Sequence, residues 1–250
     1  IWDKHTLKRL GELCGKYHVT VVSDEIHCDL TEPGKEYVPF ASASDICKNI
    51  SVTCLSASKA FNLAGMQSAA VMIPDENLRH KVWRALNTDE VAEPNAFAVV
   101  STVTAFEKGG GWMDELRSYI AGNRKIVEDY LVKHLPELHL IKGDATYLLW
   151  IDAREVNKQF ADKLSGRFVE TSDVQKSCNR QENSSMNLAD FIRKETGLYL
   201  SDGKEYGEAG FLRMNIACPK SVLYDGLERL EKGIRKITDC GRPICGKGLK

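Results

Sequence analysis

Three short runs of β-forming residues constrain this chain more than anything else in it, because none shows the strict polar–apolar alternation of a half-exposed strand. They are Val19 to Ser23, opening Val19-Thr20-Val21-Val22, then most of Ile50 to Leu55, and Ala69 to Ile73. Runs of this kind suit strands buried on both faces. Before the first of them, Asp3 is a plausible N-cap for a helix carrying Leu7, Leu10, Leu13, Cys14 and Tyr17 at helical spacing. Strands and helices alternating in this way predict an α/β layer fold for the first half.

Helical patterns continue over residues 76–87 and 94–107 until Gly109-Gly110-Gly111 breaks them. One long helix is predicted from Trp112 to about His134, with Met113, Leu116, Ile120, Val127, Tyr130 and Leu131 along one side. Asn123, Arg124 and Lys125 interrupt that stripe. After Pro136 the pattern becomes mixed α+β, with strands expected at 138–142, 147–152 and 211–216. Glu170 to Asn187 is polar and reads as a loop or insertion. Pro219 introduces a last helix with Leu223, Leu227, Leu230, Ile234 and Ile237 inside. The predicted organisation is a large α/β domain over 1–111, a connecting helix over 112–135, a smaller α+β domain over 136–240 and a tail over 241–250.

Composition removes several functions. The formal charge of −1 comes from 34 basic and 35 acidic residues spread along the chain, so no basic stripe points to nucleic acid and no polybasic arm points to a membrane. No apolar run approaches the roughly 20 residues needed to span a bilayer, and the opening Ile1-Trp2-Asp3-Lys4 lacks the pattern of a signal peptide. A cytoplasmic location is the expectation, with a small molecule as the partner. The eight cysteines are irregularly placed and read as reduced thiols. The pair Cys240 and Cys245 lacks a second pair or a nearby histidine to complete a zinc set, so no metal is expected. Because the first residue is not Met and the chain opens directly into a helix, an N-terminally incomplete chain is expected.

Two clusters carry the chemistry. The first strand ends in Ser23-Asp24-Glu25-Ile26-His27, and the second is followed by Ser56-Ala57-Ser58-Lys59-Ala60-Phe61-Asn62-Leu63-Ala64-Gly65. In open α/β sheets ligands meet the protein at the carboxyl ends of strands. A lysine among small hydroxylated residues suits Schiff-base chemistry with a phosphorylated cofactor, since serines can bond a phosphate without crowding it. Later, Phe211-Leu212-Arg213-Met214-Asn215 alternates so that Phe211, Arg213 and Asn215 face one way. An inward guanidinium there calls for an anion.

This ordered set of Asp, Lys and Arg resembles the fold-type I pyridoxal-phosphate (PLP) enzymes of aminotransferase class I and II. More narrowly, it resembles their MalY/PatB branch of cystathionine and cysteine-S-conjugate β-lyases. The resemblance runs from about residue 2 to about 238. It implies an α/β chain forming the C-terminal part of such an enzyme, with a mainly parallel large-domain sheet, helices and a smaller α+β domain. It implies pyridoxal 5'-phosphate as cofactor and Lys59 as the catalytic Schiff-base lysine. Asp24 would meet the pyridine nitrogen, Ser56 and Ser58 the phosphate, and His27 the cofactor's edge or a neighbouring side chain. Arg213 would meet the substrate carboxylate, and Tyr147 is a candidate pocket wall.

Two departures from the transaminase pattern bear on the reaction. Gln67 stands where many transaminases carry a phosphate-binding arginine, and His27 stands where they tend to carry a tyrosine. Both fit the lyase branch. The expected activity is therefore cleavage of cystathionine or cysteine S-conjugates to a thiol, pyruvate and ammonia, by a homodimer. An aminotransferase of class I/II is the alternative, and a non-catalytic regulatory or inactive truncated form the second. In this family the glycine-rich phosphate loop and the aromatic residue stacked on the cofactor precede the segment at residue 1, so the chain alone is expected to bind PLP poorly.

Overall fold

The computed structural model describes residues 1–167 and 186–238. Most of the predicted 170–187 loop, the Cys240 and Cys245 pair and the 241–250 tail lie outside them. The chain divides into two compact units, residues 1–121 with 143–146, and residues 122–142 with 147 onward.

In the first unit the elements are α1 (Lys4–Lys16), β1 (Val21–Asp24), α2 (Asp45–Asn49), β2 (Ser51–Leu55), α3 (Ala57–Ala60), β3 (Ala70–Met72), α4 (Glu76–Thr88), α5 (Ala98–Lys108) and the start of α6 (Gly110–His134). The strands lie in the order β1-β2-β3. β1 and β2 are parallel, with Asp24 opposite Cys54, and β3 joins β2 antiparallel. A parallel pair needs a crossover between its strands, and here α2 lies on that crossover.

Local chemistry sets the element ends. Asp3 caps α1 by accepting from Thr6 N–H at 2.9 Å. β1 begins two residues later than its β-forming run, because His18 is left-handed (φ 54°) and Val19 N–H still bonds Cys14 O. α5 begins at Ala98 because Asn95 Oδ1 accepts from the N–H groups of Phe97 and Ala98 at 3.0 and 3.1 Å.

A small core joins Leu7, Phe40, Ala43 and Cys47, with Val21, Val38 and Ile50 against it. Gly11 is required there, since a Cβ would collide with Cys47 Sγ. The expectation of strands buried on both faces holds only for Ser51 to Thr53 of β2. β1 alternates between half-buried and exposed residues, with Val22 67% exposed, and every residue of β3 is exposed. β1 and β3 are the outer strands of this sheet among the described residues.

The second unit continues α6 and adds β4 (His139–Ile141), β5 (Leu148–Asp152), α7 (Arg154–Arg167), α8 (Leu188–Thr196), β6 (Ser201–Asp202), β7 (Phe211–Asn215) and α9 (Lys220–Thr238). Its sheet is antiparallel throughout, in the order β4-β5-β7-β6. α9 packs on α7 and α8 and buries Leu223, Leu227, Leu230, Ile234 and Ile237, the stripe that the sequence predicts.

Along α6, Met113, Ile120, Val127 and Leu131 are buried while Leu116 and Tyr130 are half-buried. Asn123 does not interrupt this stripe as expected; it belongs to it. Fully buried, its Nδ2 donates to the carbonyls of Ile216 and Cys218 at 2.9 and 3.0 Å. Those carbonyls follow β7, where the ladder has ended; Ile216 O also accepts from Cys218 N–H at 2.9 Å, while Asn123 supplies the donor for Cys218 O. Lys125, by contrast, points out to Asp129 at 2.6 Å. Among the described residues no helix is long and apolar enough to cross a membrane.

Asn123→Leu keeps the volume and removes both donors. Ile216 O keeps its bond from Cys218 N–H at 2.9 Å, but the part-buried Cys218 carbonyl is left unpaired at a cost of about 1–3 kcal/mol, so the variant is expected to unfold at lower urea than the parent, by roughly 0.5–1 M given a typical denaturant slope. An unchanged midpoint would mean the Cys218 carbonyl finds another donor.

Candidate functional site

Because β1 and β2 run parallel and in register, both of their carboxyl ends open on the same edge of the sheet. One end delivers Asp24 and the other delivers Ser56, Ser58 and Lys59, so the two sequence clusters become neighbours. Asp24 is exposed and holds one hydrogen bond, from Ile26 N–H at 3.3 Å. Burial, and then the negative charge of Asp24, push the Cys54 thiol above its ordinary value, an electrical trace of the pairing across the two strands. His27 lies half-buried in the turn that follows β1, its carbonyl accepting from Leu30 N–H at 3.0 Å.

The serines differ. Ser56 is buried and caps α3: its Oγ accepts from Ser58 N–H at 3.1 Å and donates to Ser68 O at 2.7 Å. Its hydroxyl proton is therefore already engaged in holding the loop closed. Ser58 is half-buried, and its hydroxyl makes no hydrogen bond among the described residues. Lys59 is exposed and likewise pairs with no carboxylate among the described residues. A lysine amine, a carboxylate and a hydroxyl therefore share one sheet edge, each with bonding capacity left over.

Beyond Lys59 the chain is held by aromatic packing. Phe61 stacks on Trp112 with ring centroids 5.7 Å apart and meets Phe106 edge-on at the same distance. Gly109 permits this approach, since a Cβ there would strike the Phe61 ring and the Ala105 carbonyl. Asn62 and Gln67 are both left-handed, at φ 55° and 49°, an uncommon state for residues with a Cβ. Gln67 is exposed and closes a 3-10 turn over Ala64–Met66.

Arg213 belongs to the second unit, on β7. Leu212, Met214 and Ile216 are buried, whereas Arg213 is half-buried and Asn215 exposed, in line with the alternation. Phe211 is also covered, stacked on Trp150 at 5.4 Å. The guanidinium lies over the Tyr206 ring at 4.0 Å and donates to Ser201 Oγ at 3.4 Å. Among the described residues no carboxylate pairs with it. Tyr147 is half-buried, and burial raises its phenol.

Three participants escaped the sequence reading. Tyr206 and Ser201, which flank Arg213, come from a 3-10 turn and a two-residue strand with no periodic signal. Glu25 did have a signal, because it follows Asp24 in an extended segment and so must face the other way. It is buried, at 4% exposure.

Comparisons with known proteins bear on the family of the chain. The family model for aminotransferase class I and II matches residues 1–230. Cystathionine beta-lyase PatB of Bacillus subtilis is 37% identical over 235 residues, covering 93% of this chain and 54% of that protein. The PLP-bound C-S lyase of Staphylococcus hominis superposes with a TM-score of 0.77 at 28% identity, covering 95% of this chain and 55% of that one. A PLP-bound putative aminotransferase of Clostridium difficile gives 0.79 at 28% identity over 94% and 55%. The chain spans about half the length of the curated relatives it matches. With the family model matching residues 1–230 of its 250, the chain belongs to the aminotransferase class I and II family.

Proposed function

We propose that the complete protein is a PLP-dependent carbon–sulfur β-lyase that cleaves cystathionine or cysteine S-conjugates to a thiol, pyruvate and ammonia. The observation that carries this is the pairing of ends on β1 and β2, which sets the Lys59 amine, unpartnered among the described residues, beside the strand that ends in Asp24. When bound, PLP supplies an electron sink for the pair left on the substrate's Cα, so that a thiolate can leave from Cβ.

The residues fit that group. Lys59 has the exposed, unpaired amine that a covalent hold requires, and the same amine, once released, can take the Cα proton. A carboxylate at the pyridine nitrogen keeps a proton there, and Asp24 is exposed with one weak internal bond to give up. Of the two serines, Ser58 has the hydroxyl able to donate to the phosphate, while Ser56 fixes the loop that presents it. His27, in the turn beside Asp24, is placed to meet the cofactor's edge. Arg213 supplies a planar pair of donors for the substrate's carboxylate, pre-oriented by Tyr206.

A transaminase would use the same Lys59, Asp24 and Arg213. Gln67, in place of a phosphate-binding arginine, favours the lyase, as does the likeness to PatB. The proposal extends to a homodimer acting in the cytoplasm.

Given L-cystathionine and PLP but no keto acid, the complete enzyme is expected to release homocysteine and pyruvate in equal amounts over many turnovers. A stall after one equivalent, relieved by adding a keto acid, would replace the lyase reading with the transaminase one. Arg213→Lys keeps the charge and loses the planar fork, so KM for amino-acid substrates should rise about tenfold or more while PLP affinity stays put. Loss of PLP with an unchanged KM would move Arg213 to the phosphate.

A further inference from the structure

Glu25 is the buried ionisable group for which the proposed chemistry has no use. It is 4% exposed, and among the described residues no lysine, arginine or histidine pairs with it. Its Oε1 instead accepts from Ser23 Oγ at 2.9 Å and from Phe40 N–H at 3.1 Å, and the Tyr37 hydroxyl also hydrogen-bonds the carboxylate. The Phe40 bond spans fifteen residues and ties the end of β1 to a residue of the unit's core, since Phe40 packs with Leu7, Ala43 and Cys47. Two neighbours feel the charge. Burial first, and Glu25 next, raise the Tyr37 phenol well above its ordinary value, and burial, Asp29 and Glu25 in that order push the Cys28 thiol up to about 12.

Asp24 has no such anchor. Its single hydrogen bond, to Ile26 N–H, is long at 3.3 Å and local, so its own contacts do not fix where it points. At the end of an extended strand, successive side chains project to opposite sides. A carboxylate pinned inward at position 25 therefore turns position 24 outward, which is the burial pattern observed.

We propose that Glu25 is a positioning residue for Asp24: by clamping the end of β1 to the Phe40 backbone, it aims the Asp24 carboxylate at the cofactor's ring nitrogen. The inference rests on the reading of Asp24 given above. It makes reach, rather than charge, the property that matters at position 25. Glu25→Gln keeps an acceptor oxygen at the same reach and loses the charge. Glu25→Asp keeps the charge and withdraws the oxygen by one carbon–carbon bond, about 1.5 Å, too far to hold its donors.

The test uses the complete protein loaded with PLP labelled with 15N in its ring, and follows the ring nitrogen's chemical shift from pH 6 to 9. Parent and Glu25→Gln should keep the ring proton alike. In Glu25→Asp the proton should be lost at a pH lower by at least about one unit, with kcat down at least about tenfold and KM little changed. A parent-like Glu25→Asp, or a Glu25→Gln as impaired as Glu25→Asp, overturns the clamp. Asp24→Asn serves as the control: if it too leaves the ring proton in place, the assignment of Asp24 has failed rather than that of Glu25. Should Glu25→Asp not fold, Ser23→Ala removes one of the clamp's donors, and the same shift in ring titration, to a smaller extent, is expected. No shift there would also overturn the proposal.

Discussion

The parallel ladder between β1 and β2 is the constraint on which the rest depends. Two strands that ran antiparallel would put their carboxyl ends on opposite edges, and Asp24 and Lys59 would part by the length of the sheet. Running parallel, with Asp24 opposite Cys54, they put the acid and the amine on one edge without any direct contact between them. The crossover needed to return the chain carries the Phe40, Ala43 and Cys47 core, so the segment that makes the ladder possible also supplies the anchor for Glu25. Fold and site are linked by the same residues.

Around that edge, the chain separates side chains that hold from side chains left available to act. Ser56, Glu25 and Gly109 hold: they cap, clamp and make room. Ser58, Lys59 and Asp24 keep bonding capacity in reserve. The same division recurs in the second unit, where Leu212 and Met214 are buried while Arg213 is steadied over Tyr206 with no carboxylate to neutralise it among the described residues.

Much of this was legible in the chain because it depends on local rules. The N-cap at Asp3, the α9 stripe from Leu223 to Ile237 and the alternation through Arg213 each follow from spacing or residue type alone. The Asp, Lys and Arg motifs were legible as a resemblance, since a catalytic set has an order that chance rarely reproduces. What was not legible depends on partners remote in sequence. Asn123 looked like a break in a stripe because its carbonyl partners lie more than ninety residues away. Both serines read as phosphate ligands, Ser56 ahead of Ser58, which could equally be a packing residue; spacing could not foresee that the Ser56 hydroxyl is bonded to Ser68 O, twelve residues on.

Lys59 is the residue proposed to hold the cofactor. Borohydride treatment of the PLP-loaded complete protein, followed by digestion and mass mapping, fixes the cofactor to whichever lysine carries it. The expected result is a single modified peptide with the label on Lys59, and none after Lys59→Ala. Label on Lys48 or Lys81 instead would contradict the assignment and, with it, the role given to the paired ends of β1 and β2.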